Sequence, residues 1–153
     1  MDLIQIVLLA LGITAMLAIA LGLVFGVSFL GIRGLAGGVI DEAQRRYPNP
    51  RLFVKNASFF GQESLGVTQG RGNGTLIITD SELVFIRWMP RKEFVISLKS
   101  ITGLETPTSF LGKTRFTPLL KVVYTNDTDH PDSMAWHVDD REGVKRTLES
   151  AMR

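Results

Sequence analysis

Hydrophobic and polar positions divide the chain into two unlike stretches. Between Leu3 and Ile32, apolar side chains fill 23 of 30 positions and no charge intervenes. Thirty helical residues reach roughly 45 Å, against a hydrocarbon core of about 30 Å. The run therefore predicts one transmembrane helix over residues 1–33. A cleaved signal peptide fits less well. The chain starts Met1-Asp2 without a cationic region, and Val27-Ser28-Phe29-Leu30 offers no small-residue cleavage site. Inside the run Ala10, Thr14, Ala18, Gly22 and Gly26 recur every four residues and end in GxxxG. Small residues at that spacing let a second helix approach closely, so a helix-packing face is expected, for a homo-oligomer or another membrane partner.

Gly31, Gly34, Gly37 and Gly38 follow, each costly to a helix, and predict a bend. Val39–Tyr47 reads as a short charged helix with Asp41 and Glu42 early and Arg45 and Arg46 late, the order the helix dipole favours. Pro48-Asn49-Pro50 ends it. Its apolar face (Val39, Ile40, Ala43) is small, so a spacer is expected before a helix lying on the inner leaflet. Residues 34–52 are thus read as a juxtamembrane helix and linker.

From Phe53 the pattern changes to short strands between turn residues, and residues 53–153 are read as one domain. The expected strands are Ser64–Thr68, Thr75–Thr79, Glu82–Trp88, Phe94–Leu98, Ile101–Thr106, Leu119–Thr125 and a last one through Met134, Trp136 and Val138. Ala135 and His137 are expected to point away from its core face. Asp139-Asp140-Arg141-Glu142 resembles a capping box, and Val144, Leu148 and Met152 recur at helical spacing behind it. Seven antiparallel strands and a terminal helix imply a small barrel or sandwich with the helix plugging one end.

These residues carry a resemblance. Gly74-Thr-Leu-Ile-Ile-Thr79 running into Leu83-Val-Phe-Ile86 resembles the hairpin of GRAM domains, members of the pleckstrin-homology (PH)-like superfold. Phe94–Leu104 is similar to their next segment, with Ser97 where proline is common, and Trp136–Asp140 to their closing strand and helix. The resemblance covers roughly Glu63–Met152. It implies an α+β chain: a transmembrane helix, then a PH-like seven-stranded antiparallel β-barrel or sandwich capped by a C-terminal α-helix. It also implies a module that binds lipid headgroups, peptides or proteins. An OB-fold is the alternative; the final helix favours the PH-like choice.

Composition sharpens this picture. The 153-residue chain is 45% hydrophobic with a formal charge of +2, and it has no cysteine. Disulfides, thiol catalysis and Cys-based zinc sites are thereby excluded. Charge is uneven: +6 over 33–121 and −3 over 122–153. Arg33, Arg45, Arg46, Arg51 and Lys55 follow the apolar run, whereas Asp2 precedes it. Lys and Arg stay on the cytoplasmic side, which predicts a single-pass cell-membrane protein with its N-terminus outside and its domain in the cytoplasm. The three sequons at Asn56, Asn73 and Asn126 carry no weight under that orientation.

Candidate chemistry is sparse. His130 and His137 are the only histidines, and nothing in the spacing pairs either with a nucleophile and an orienting acid, so no enzyme is expected. Asn126–Asp132 lacks the glycine and distal glutamate of an EF-hand and is read as a solvated hairpin loop without metal. Gly70-Arg-Gly-Asn-Gly74 lacks the G-K-[ST] ending of a phosphate loop and is read as a flexible turn. No cofactor is expected. Two loops mix cations with apolar side chains: one carries Arg87, Trp88, Met89, Arg91 and Lys92, the other Phe110, Lys113, Arg115 and Phe116. That mixture suits a membrane interface or a protein partner. Nucleic acid is not expected, because no aromatic series interleaves the cations. The sequence points to a binding or scaffolding module on the anionic membrane surface or a protein partner. The alternative is a structural subunit assembling through its transmembrane helix.

Overall fold

The computed structural model describes residues 2–153. Met1, on which the signal-peptide argument draws, lies outside them, and so do the side chains of Leu3, residues 27–30, Ile32, Arg33 and Leu35, including the cleavage-site and flanking-arginine positions. The chain forms two compact units, Met1–Gly38 and Val39–Arg153.

The first unit is helical and belongs to α1 (Leu3–Arg46). Its Ile4–Gly26 stretch has 23 residues, a mean hydropathy of 2.7 and no buried part, and is long and apolar enough to cross a membrane. Gly31, Gly34, Gly37 and Gly38 all remain helical; each glycine costs only about 1 kcal/mol, and the expected interruption does not occur.

The second unit holds the last turns of α1 and nine strands: β1 (Leu52–Gln62), β2 (Gly72–Ile78), β3 (Glu82–Arg87), β4 (Lys92–Ser97), β5 (Ile101–Glu105), β6 (Ser109–Phe110), β7 (Lys113–Thr114), β8 (Leu120–Thr125) and β9 (Pro131–His137). Helix α2 (Arg141–Ala151) closes the chain, its N-cap Asp140 accepting the Gly143 N–H at 2.9 Å. The cap is thus one residue later than the expected Asp139. Seven strands form an antiparallel sheet in the order β4-β3-β2-β1-β9-β8-β5. The expected barrel does not close: β4 and β5 are unpaired edges, and the sheet stays open.

Strand β1 makes this shape. Register shifts between Val54 and Ala57 and between Phe59 and Gly61 bend it, so its first part pairs with β2 and its last part with β9. Those shifts also break its alternation, which is why it was not legible. The strand expected at Ser64–Thr68 is instead a 3-10 turn, Glu63–Leu65, and loop. Inside the bend, Phe59, Phe85 and Trp136 pack with centroids 5.2 Å (Phe59–Phe85) and 5.7 Å (Phe85–Trp136) apart, and Val144 and Leu148 of α2 join them.

The outer face of the sheet is covered as well. Val39 and Ala43 of α1 pack on Ile77, Val84 and Ile86, with Tyr47, Phe53 and Trp88 at the margin. Glu42 pairs with Arg91 at 2.6 Å and Arg46 with Glu93 at 2.8 Å. The segment expected as a spacer is therefore part of the domain. Val39 and Ala43, two of its three apolar residues, suffice because the facing side of β2 and β3 is apolar too. Further along, β6 and β7 lay Phe110 over Phe60, Leu119 and Ala135. Ala135, expected to face away, is buried there.

Candidate functional site

The two cation-bearing loops expected from the sequence are brought together, and the Gly70–Gly74 run joins them. Asn73 pairs with Ser58 across the β1–β2 ladder and accepts the Ser58 hydroxyl at 3.0 Å. The Trp88 backbone N–H donates to the Asn73 carbonyl at 3.0 Å, fixing one loop. Arg115 Nη1 reaches Ser58 Oγ at 3.4 Å, a long contact that brings the other loop to the same place. Glycine is needed at the crossing. A Cβ on Gly74 would lie 2.4 Å from the Ile86 carbonyl oxygen and 2.5 Å from the Phe85 ring. From Gly72 the run is strand, closely packed at Gly74, not the flexible turn its composition suggests; Gly70 and Arg71 precede the strand.

The second loop is held at several points. Leu119 N–H donates to the Pro107 carbonyl at 2.7 Å and closes the loop at its base. The Thr114 hydroxyl donates to the Thr108 carbonyl at 2.8 Å and accepts the Phe116 N–H at 3.1 Å. Arg71 Nη2 donates to the Thr114 carbonyl at 2.9 Å, its guanidinium 4.4 Å from the centre of the Phe60 ring. Phe116 is thereby held in the left-handed region, φ 59°, with 90% of its surface exposed. For a bulky aromatic residue that backbone is uncommon and costs on the order of 1 kcal/mol. No other large hydrophobic side chain of the sheet domain is as exposed among the described residues.

The other expected site residues divide by environment. Lys113 donates to the Phe60 and Gln69 carbonyls; burial, and then the neighbouring Arg71, pull its ammonium below the usual lysine range. Trp88 is half-buried and donates its indole N–H to Thr75 Oγ1 at 3.1 Å. Phe110 is buried. Arg87 donates to the Pro90 carbonyl at 3.0 Å, and Met89 is exposed. Arg91 is held by Glu42, whose carboxyl that hydrogen bond and charge keep below the ordinary range. The Lys92 ammonium lies 4.8 Å from the Phe94 ring centre. Arg115 and Arg71 are the exposed cations beside Phe116; the sequence reading passed over Arg71, whose signal was a cation inside the glycine run. His137 stands opposite Ser58, and burial first, then Arg115, lowers its pKa.

A cleft of ≈ 290 Å³ lies at the open seam, lined by Lys92, Phe94, Ser97, Tyr124 and Asn126 among others. Two of its lining side chains, Gln62 and Tyr124, are bonded to Asp132 behind them. Asp132 accepts Gln62 Nε2 at 2.6 Å, Ser64 Oγ at 2.7 Å, Tyr124 OH at 3.1 Å and two backbone N–H groups. Burial raises its pKa and the hydrogen bonds more than reverse this, leaving it lowered. Asp132 was expected in a solvated loop; it is 3% exposed and pairs with Tyr124, inside β9.

In the helical unit Ala10, Thr14, Ala18, Gly22 and Gly26 are exposed, and the Thr14 hydroxyl is spent on the Ala10 and Leu11 carbonyls. A four-residue repeat rotates about 40° per step at 3.6 residues per turn, so the stripe winds around the helix.

No protein-family model matches the chain, and no curated protein matches it in sequence. Two structures of the Vav1 exchange factor, one inhibited by an allosteric inhibitor and one concerning its PH and C1 domains, align with 71% and 70% of this chain and 28% and 26% of theirs. Their TM-scores are 0.47 and 0.45 at 9% and 8% identity, too low to bear on fold or function. The C-terminal domain of an unknown protein from Leishmania infantum is similar at a TM-score of 0.54 and 14% identity, over 73% of this chain and 95% of that one. What the two share is the fold.

Proposed function

We propose that this chain is a non-enzymatic, membrane-anchored binding module. Its apolar helix crosses the cell membrane once, N-terminus outside, and its cytoplasmic domain is PH-like, of GRAM type. The order of elements supports that fold reading. The resembling segments fall on β2, β3, β4 with β5, and β9 leading into α2. The domain contacts its partner through the face around Ser58 and Asn73.

One observation carries the reading: Phe116 is 90% exposed, in a costly backbone region, on a loop pinned by Thr114, Arg71 and Leu119. A fold that spends hydrogen bonds on presenting an aromatic ring to solvent, on a loop that also carries an exposed arginine, is built for contact. The test is a photo-crosslinking phenylalanine analogue placed at 116, and separately at Glu149, in the full chain in its native membrane. Adducts confined to position 116, with lipid or with protein, support the module. Equal yields at both positions, or none at 116, overturn it.

A further inference from the structure

The chain on either side of the exposed ring is polar, and this decides what it fits. Its chain neighbours are Arg115 and Thr117, and the loop bearing it is tied to Arg71. Protein hot spots sit inside a dry, well-packed surround that excludes water. One exposed aromatic ring on a loop that carries Arg115 and is tied to Arg71 is instead the mixture found at the headgroup level of a bilayer, where the ring enters the acyl boundary and the cations stay with phosphate. Arg115 has a single long contact, 3.4 Å, and Arg71 one bond to a carbonyl, so both keep donors for an anion.

The bilayer is also within reach. Twelve residues separate Gly26, the end of the spanning stretch, from Val39, the start of the domain. A tether of that length holds the domain at a high effective concentration near the surface.

Resting on the binding-module reading, we propose that Phe116 inserts into the headgroup boundary of an anionic membrane, with Arg115 and Arg71 holding lipid phosphates. This contact senses surface charge density, not one headgroup. At 90% exposure Phe116 stands outside any enclosing pocket that could select a headgroup, and Lys113 on the same loop is committed to the Phe60 and Gln69 carbonyls.

The absence of cysteine makes the test clean. The full chain carrying Phe116→Cys or Glu149→Cys, each labelled with an environment-sensitive fluorophore, is reconstituted in vesicles holding a lipid-borne quencher. The vesicles are phosphatidylcholine alone, phosphatidylcholine with phosphatidylserine, or phosphatidylcholine with phosphatidylinositol bisphosphate at matched charge. Quenching at 116 is expected in both anionic mixtures and not in phosphatidylcholine, with position 149 unquenched throughout. Arg115→Gln and Arg71→Gln each lower the docking constant about fivefold. Arg115→Gln touches only one weak internal contact, so its result does not depend on folding. Position 116 remaining in water in both anionic mixtures, or quenching with one headgroup only, overturns the proposal. Unquenched label together with position-116 crosslinks to a protein overturns it while leaving the module reading intact; no crosslinks at 116 removes both.

Discussion

Replacing glycines of the Gly70–Gly74 run by alanine separates a packed crossing from a flexible turn. At Gly74 the new methyl would sit 2.4 Å from the Ile86 carbonyl oxygen and 2.5 Å from Phe85 Cζ. Neither obstacle can yield, since the oxygen belongs to the β2–β3 ladder and the ring lies 5.2 Å from Phe59 and 5.7 Å from Trp136 in the core. Overpacking of this kind costs about 3 kcal/mol, and the lost freedom of the unfolded chain returns at most about 1. A net cost of about 2–3 kcal/mol lowers the melting temperature of a domain near this size by about 8–12 °C. At Gly72 the obstacle is Arg87 Cδ at 2.8 Å, the flexible part of a long side chain, and the cost falls below about 1 kcal/mol. At Gly70 nothing lies within 4 Å, and alanine is neutral or stabilising by about 0.5 kcal/mol. Residues 39–153 bury all three apolar clusters within themselves and can be followed alone by circular dichroism. The order of melting points should be Gly70→Ala, then Gly72→Ala, then Gly74→Ala far below. A Gly74→Ala protein melting within about 2 °C of the parent would refute the close-packing argument.

Ala43→Glu should free the last turns of α1 from the sheet, because Ala43 is 1% exposed against Ile77, Val84 and Ile86; amide exchange over 39–47 accelerates while β1–β9 stay protected. Asp132→Ala leaves the donors of Gln62, Ser64 and Tyr124 facing no acceptor, and urea unfolding should show a loss of about 3 kcal/mol. Tyr124 is raised above its ordinary value by burial and then by Asp132. A raised folded pKa gives stability that is full below the unfolded value of about 10 and lost as pH climbs toward the folded one, so alkaline melting should fall less steeply in Tyr124→Phe. His137 is lowered, so its contribution is full above about pH 6.5 and shrinks on acidification. Arg115→Gln removes one of its causes, and the His137 titration followed by NMR should move upward.

Most of the fold was legible because most of its strands obey simple rules. In β4 and β8 one face meets the core and the other meets water, and both alternate accordingly. Strand β1 escaped because two bulges break its period and because Phe59 and Phe60, adjacent in sequence, are both buried, one in the core and one beneath the β6–β7 hairpin. The same double burial misled the reading of Ala135. Alternation signals a half-wet sheet, and here β2, β3 and β9 are covered on both sides by segments that read as spacer and loop. An open edge leaves no trace in the pattern either, since a closed barrel and a bent sheet ask for the same core residues.

The site was legible in kind and scattered in place, for a related reason. Composition marks a loop as cationic and apolar, but it does not say which members the fold consumes. Trp88, Phe110 and Lys113 are spent on packing and internal hydrogen bonds, and Arg91 on Glu42. What separates Phe116 from Phe110, six residues apart, is not hydrophobicity, which is equal. It is the pair of bonds made by the Thr114 hydroxyl, which turn the chain outward just before the ring. A hydroxyl at that position is an ordinary residue in a sequence. Its effect exists only once Thr108 has been brought back across the hairpin, so the residue that presents the ring could be found only in the folded chain.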